Sequence, residues 1–381
     1  MEAERYDRQQ RIAGWKQPAL SAARVIVAGA GALGNEAIKN FALMGVGHLL
    51  IIDFDRIELS NLSRAALFLE TDVGRRKAEV AAERAAQLNS EIQVRHIDGD
   101  LFSDIGLGFY RHADLVVGAL DNVAARSQVG LSCSLAGIPF LDGGMWAWGG
   151  EARWFKGGAE TCFECTLSDD DRSFAFERRS CTGFRQAEDE GAARVVPTTI
   201  SIAALIGGLL AQEAARYLCG WEIQGGEALV YNGLKLSLHR SALARDSQCP
   251  YHEPYAGVKE LQARAASATA LDLLRIFEPE AAGSLSLELG RDFLLSFRCS
   301  SCGAQEEVNA LVNRLGASSS RCPRCGHARQ PEIMSSVTSG DALAGRSLSE
   351  LGVPPGEVLA VRAGDELRLC ELTGDVVALW Q

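Results

Sequence analysis

The run RVIVAGAGALG, residues 24 to 34, constrains this chain more than any other stretch. Apolar residues stop at a glycine, and the glycines give way at once to a helical pattern, NEAIKNFALMGV. A strand that turns this tightly into a helix belongs in a parallel sheet, because the crossover is too long for a hairpin. Further apolar runs, HLLIIDFD (48 to 55), EIQVRHID, ADLVVGAL and IPFLDG, alternate with two helical patterns. These are TDVGRRKAEVAAERAAQLN, with Thr71 or Asp72 as its expected cap, and NVAARSQVGLSCSLAG. The alternation predicts an α/β fold built on a doubly wound, mostly parallel sheet. The turn at Gly29, Gly31 and Gly34 lets backbone N–H groups and a helix N-terminus approach a phosphate. Asp53 ends the next strand about 20 residues on, where a carboxylate bonds ribose hydroxyls. Alone, this pattern fits an NAD-dependent oxidoreductase as readily as any other nucleotide user.

Composition removes other classes. A net charge of -11 over 381 residues lacks the clustered Lys and Arg that phosphate backbones require, so no nucleic acid is expected as partner. The longest apolar run, ISIAALIGGLLAQEAARYL, meets Gln212, Glu213 and Arg216 before reaching the ~20 residues of a membrane span, and reads as a buried helix. MEAERYDRQQR carries no apolar stretch of a secretory signal, so a cytoplasmic, reducing location is expected. There, paired cysteines mean metal or redox chemistry more often than disulfides. Cys299-Ser-Ser-Cys302 and Cys322-Pro-Arg-Cys325, nineteen residues apart, have the spacing of a four-cysteine zinc ribbon.

Five motifs occur in order: RYDRQQRI (5 to 12), GAGALG, DFDRIELSNLSR (53 to 64), VGRRK (73 to 77) and ALDN (119 to 122). Together they make residues 5 to 255 resemble the adenylating domain of the ubiquitin-activating-enzyme superfamily, which includes bacterial ThiF-type activators of sulfur-carrier proteins. The resemblance implies a Rossmann-like adenylation domain that uses ATP and Mg²⁺. It places ribose on Asp53, the triphosphate on Asn61, Arg64 and Lys77, and Mg²⁺ beside Asp121. It makes Arg8 an arginine finger that reaches the partner's site in a homodimer. Such a set neutralises the charge that builds when a carboxylate attacks an α-phosphate. Singly, Arg8 or Lys77 reads as a solvated charge and Asp121 as a helix cap; only the ordered combination favours chemistry.

The resemblance also implies a second metal site. Cys162-Phe-Glu-Cys165 is a half-site, and where relatives carry another CxxC this chain has Cys249-Pro-Tyr-His252. A Cys3His set suits Zn²⁺, with Glu253 or a water as the alternative fourth ligand. Of the other cysteines, Cys133, Cys219 and Cys370 lie in apolar patterns and read as core. Cys181, in the polar stretch ERRSCTGFRQAEDEG, falls where the family's crossover loop (about 168 to 196) carries the cysteine that takes the acyl group. Arg178 and Arg179 before it favour a thiolate, although an ordinary loop cysteine fits the same stretch.

The expected organisation is therefore an adenylation domain over 1 to 255, a helical linker over 256 to 290, a zinc ribbon over 291 to 334 and a β-rich tail over 335 to 381. The implied activity is ATP-dependent activation of a ubiquitin-like protein at the carboxylate of its C-terminal tail, followed by a thioester on Cys181 and transfer to a ubiquitin-conjugating-like enzyme. Bacterial conjugation operons linked to antiviral defence include activators of this kind. The alternative is adenylation of a sulfur-carrier protein in a thiocarboxylate pathway.

Overall fold

A computed structural model describes residues 5–157, 160–173, 197–280 and 283–380. Two short helices, α1 (Asp7–Gln10) and α2 (Gln17–Ala22), lead into β1 (Arg24–Ala28), α3 (Ala32–Met44), β2 (His48–Ile52), α4 (Lys77–Leu88) and β3 (Gln93–Ile97). Next come α5 (Leu107–Arg111), β4 (Leu115–Gly118), α6 (Val123–Ala136), β5 (Phe140–Trp146) and β6 (Gly149–Phe155). The long helix α7 (Ile200–Leu218) and strands β7 (Glu227–Asn232) and β8 (Ser237–Ala242) complete this unit. Its eight-stranded sheet has the order β3-β2-β1-β4-β5-β6-β7-β8, parallel through β5 and antiparallel beyond.

The order follows from burial. Strand β1 is apolar on both faces, with Val25 through Ala28 inaccessible, as a central parallel strand must be. The outer strands QVRHI and SLHRSA carry polar side chains that guard exposed edges. One core packs α3, α4 and α7 on one face, with Phe41, Ile38 and Leu210 fully buried. The other packs α5 and α6 with Phe109, Phe140 and Phe163. Truncating a ring such as Phe41 to alanine would cost about 3–5 kcal/mol. Among the described residues, no helix is long and apolar enough to cross a membrane.

Helix α4 starts at Lys77, later than its sequence pattern suggests. Asp72 does not cap α4; it is buried, closes the 3-10 turn Glu70–Asp72 by accepting from Leu69 N–H at 3.0 Å, and takes ion pairs from Arg75 and Arg84.

The rest of the chain forms β9 (Lys259–Leu261), α8 (Ala270–Phe277), β10 (Leu285–Cys299), β11 (Gln305–Leu311), β12 (Arg329–Thr338), β13 (Val358–Ala363), β14 (Glu366–Leu372) and α9 (Thr373–Trp380). The sheet order is β11-β10-β13-β14-β9, with β12 on β10. Helix α8 lies within the expected linker and is capped by Thr269 and Asp272. The linker is nonetheless not a separate segment. Strand β9 pairs with β14, and Leu273, Leu274 and Phe277 enter the same core as Leu287 and Val361. The expected divisions at 290/291 and 334/335 fall inside β10 and β12, so ribbon and tail share one sheet. Helix α9 returns to the first unit, where Val376 and Trp380 join the core beneath α5.

Candidate functional site

In a doubly wound sheet the ligand site lies beyond the carboxyl ends of the parallel strands, at the point where the strand order reverses. Here that point lies between β1 and β4. Gly29 leaves β1 with φ +95°, and a Cβ there would meet the Ala119 carbonyl at 2.6 Å. At Gly34 a Cβ would sit 2.0 Å from the Gly29 carbonyl, so strand and helix pack as closely as two backbones can. Gly31 is the N-cap of α3 and faces open space. Buried Asn35 braces the turn. Its Nδ2 donates to the Ala30 and Gly31 carbonyls at 2.7 and 3.0 Å, and its Oδ1 accepts from Leu67 N–H at 2.8 Å.

Asp53 follows β2 and is oriented on both oxygens. Ala30 N–H donates to one at 2.7 Å and Asp55 N–H to the other at 2.8 Å. Each oxygen keeps a lone pair for a hydroxyl. Burial pushes the Asp53 carboxyl above its ordinary value, with Lys77 and the two N–H groups acting in the opposite direction. Asn61 and Arg64 stand on the connection after Asp53. The Asn61 Oδ1 accepts from Glu58 N–H at 3.0 Å, and an Arg64 guanidinium N–H donates to the Ser60 carbonyl at 2.8 Å. Lys77 is the first residue of α4, where its charge opposes the positive end of the helix dipole. Asp55 offsets that charge, its carboxylate 2.7 Å from Nζ.

Asp121 is exposed just beyond β4. One of its oxygens accepts from Asn122 Nδ2 at 3.2 Å. The cap of α6 is Asn122 rather than Asp121, its side chain accepting from Ala125 N–H at 2.8 Å. A buried ionic group fixes this corner: Arg126 on the first turn of α6 and Arg153 on β6 both bind Asp142 on β5, each at 2.6 Å. Nothing in the sequence singled out Asn35, Asp55 or this Arg126–Asp142–Arg153 group. Their spacing is unremarkable, and only the fold brings them together.

Arg8 lies elsewhere in the chain. Helix α1 packs at the far end of α3, where Gln9 Nε2 donates to the Met44 carbonyl at 2.9 Å. Thirteen residues of helix separate that end from the glycine turn, about 20 Å at 1.5 Å per residue. Exposed Arg8 is therefore not brought together with Asp53, Asn61, Arg64, Lys77 and Asp121 of its own chain. Cys181 and most of the expected crossover loop lie outside the described residues.

Two cysteine clusters have assembled, and within each the ligand atoms all lie within 4.8 Å of one another. In the first, Cys162 Sγ is 3.6 Å from both Cys165 Sγ and Cys249 Sγ, and His252 Nε2 is 3.0 Å from Cys165 Sγ. His252 is buried while Glu253 points outward, so the imidazole is the fourth donor in place. Burial and Arg245 push His252 below its ordinary pKa, toward the neutral imidazole that a metal requires. In the second, Cys299–Cys325 and Cys302–Cys322 are 3.5 and 3.6 Å apart. Tetrahedral zinc with bonds of about 2.3 Å to sulfur sets its ligands roughly 3.8 Å apart, so both donor sets fit it. Backbone N–H groups, led by that of Cys302, hold Cys299 down to about 6, whereas burial raises Cys162.

With this geometry in place, comparison with known proteins gives a consistent result. The ThiF family profile matches residues 6–251. The sulfur carrier protein adenylyltransferase of Thermus thermophilus is 31% identical over 258 residues, covering 65% of this chain and 90% of that protein. SUMO-activating enzyme subunit 2 of Dictyostelium discoideum is 36% identical over 143 residues, which is 37% of this chain and only 22% of that longer protein. The crystal structure of E. coli MccB with ATP superposes with a TM-score of 0.53 at 21% identity, over 66% of this chain and 74% of that one, and supports the fold alone. The chain belongs to the ThiF family of the E1-like superfamily of ATP-dependent adenylyltransferases.

Proposed function

We propose that this protein adenylates the C-terminal carboxylate of a small ubiquitin-like protein. The observation that carries the reading is one of placement. The glycine turn, Asp53 and Asp121 stand at the carboxyl ends of β1, β2 and β4, and Asn61, Arg64 and Lys77 lie on the connection from β2 to α4 and its first residue. Strand β5 ends on that same side, and the turn after β7 lies beside it, Gly233 N–H donating to the Trp148 carbonyl at 2.6 Å. Trp148, Leu234 and Leu236 are 57%, 75% and 81% exposed there. Three large apolar side chains in water next to a nucleotide site suit the globular body of a protein whose tail reaches that site.

In this reading a tail carboxylate oxygen attacks the α-phosphorus of ATP, the bond to the β-phosphate oxygen breaks, and pyrophosphate leaves. Asp53 holds the ribose, while Asn61, Arg64 and Lys77 hold the departing phosphates, Lys77 exchanging Asp55 for them. Asp121 keeps one oxygen clear of Asn122 and suits Mg²⁺, which when bound supplies charge neutralisation. Arg8 would come from the second subunit of a homodimer, since it stands far from its own site. The attacking carboxylate is already ionised, so no general base is required.

The next step divides two readings. In the first, the Cys181 thiolate attacks the acyl carbon, AMP leaves, and the resulting thioester passes to a conjugating enzyme. In the second, the adenylate is consumed in sulfur transfer. This route is favoured by the relative of Thermus thermophilus, a sulfur carrier protein adenylyltransferase that is matched over nearly its whole length. A non-reducing gel after incubation with ATP and the small protein separates them. A thiol-sensitive adduct absent from Cys181→Ala supports the thioester; adenylate without any adduct excludes it. ATP affinity should also fall, as pH drops, at a higher pH than an ordinary aspartate would give, because Asp53 is raised above 3.8.

A further inference from the structure

We infer that Arg291 of the C-terminal unit is a positioning residue for the nucleotide site, acting through residues 98–108. The inference rests on the reading of Asp53 as the ribose carboxylate.

Residues 98–108 run from the end of β3 into α5. Strand β3 lies beside β2, and Asp53 N–H donates to the carbonyl of Ile97, the last residue of β3, at 3.2 Å, so this connection begins at the residue next to the one that holds the Asp53 backbone. The connection is braced from within. Asp100 N–H donates to Asp104 Oδ2 at 2.8 Å, and Phe102 N–H donates to Asp100 Oδ1 at 2.9 Å.

The C-terminal unit holds the same connection from outside. One Arg291 N–H donates to the Phe102 carbonyl at 2.5 Å and another to Glu357 Oε2 at 2.8 Å. Glu357 Oε1 accepts from Leu107 N–H at 3.2 Å, and Arg314 pairs with Asp104. Gly106 and Gly108 N–H groups donate to the Pro355 and Gly356 carbonyls at 3.0 and 2.8 Å. A Cβ on Gly106 would stand 2.3 Å from Glu357 N, so this approach of two backbones tolerates no side chain.

Arg291 owes its aim to an irregularity in its strand. The first residues of β10 pair with β13, those from Phe293 onward pair with β11, and between them Gly290 takes φ +67° while the register against β12 shifts. Bulges of this kind redirect a side chain at the expense of pairing. The guanidinium reaches the Phe102 carbonyl of the first unit with one N–H and the Glu357 carboxylate of its own unit with another, a fork that lysine cannot reproduce.

The test titrates ATP into the full-length protein and follows pyrophosphate exchange with the small protein substrate. Arg291→Ala should weaken ATP binding roughly fivefold. It should raise KM for ATP by the same factor, and leave kcat and KM for the protein substrate unchanged. Arg291→Lys should recover part of the loss. A purely structural role would instead lower the active fraction, and with it kcat, at constant KM. If Arg291→Ala fails to fold, Arg314→Ala and Arg291→Lys test the same connection, each with about a twofold loss expected. Absence of ATP binding by the unaltered protein overturns the functional reading and this inference together. Equal ATP affinity in the unaltered protein and the folded variants overturns this inference alone.

Discussion

The two cysteine clusters offer the same element nearly the same donors, but they are built in opposite ways. The set Cys299, Cys302, Cys322 and Cys325 closes within one local unit, with Cys299 at the end of β10 and the second pair just before β12. The set Cys162, Cys165, Cys249 and His252 joins residues on either side of α7, β7 and β8, so a metal there ties the antiparallel half of the first sheet into a loop. A local cluster stabilises its own turn, whereas a distant one constrains everything between its ligands.

The largest expected effect follows from this contrast. His252→Ala should reduce bound zinc by one equivalent of the two that the clusters could hold. It should also lower Tm by roughly 10 °C, the consequence of losing about 3–4 kcal/mol from a unit of this size. Cys325→Ser should release one zinc as well, but change hydrogen exchange only around residues 299–329 and leave ATP binding close to normal. Metal analysis combined with exchange mass spectrometry checks both. Equal, global destabilisation by the two variants would break the contrast.

Next comes one of the contacts that join the two units. Glu371 is fully buried and binds Arg111 and His112 of the first unit at 2.8 and 2.7 Å. Burial alone would raise its pKa, but the hydrogen bonds from His112 and Arg111 override this and hold it below the ordinary 4.5. A carboxyl depressed on folding contributes stability that is fully present above the unfolded value and is lost as pH falls through the folded one. Acid should therefore loosen the C-terminal unit below about pH 4.5. Glu371→Gln should lose about 3 kcal/mol at neutral pH by leaving Arg111 uncompensated, and should flatten that acid limb in chemical denaturation. A smaller effect is expected at the corner that carries Asp121. Asn122→Ala removes the cap of α6 and should cost about 1 kcal/mol.

The contrast also explains what could be read in the sequence. The glycine turn, Asp53 and the two ribbon CxxC pairs are short-range patterns whose chemistry fixes their spacing, and they were legible from residue order. Cys249 and His252 could be assigned only through the resemblance to a family, because their partners lie more than eighty residues away in the chain. The linker is opaque for the same reason. Leu261 and Phe277 carry no sign of whether they pack on each other or on strands a hundred residues later, and β9 pairs with β14. Asp72, a short acidic residue before a helical pattern, looks like the cap of α4, whereas it caps the short turn before that helix through Leu69 N–H and pairs with Arg84, twelve residues downstream. Arg291, whose aim depends on a bulge, had no sequence signal at all.

We propose the carboxyl ends of β1, β2 and β4 as the site where ATP meets a protein carboxylate. Pyrophosphate exchange into ATP, measured with the small protein substrate, tests it most directly. Exchange should require the free C-terminal carboxylate of that substrate and fall at least about 100-fold in Asp121→Ala, with zinc content and fold unchanged. Exchange that persists in Asp121→Ala, or that proceeds without the carboxylate, would contradict it.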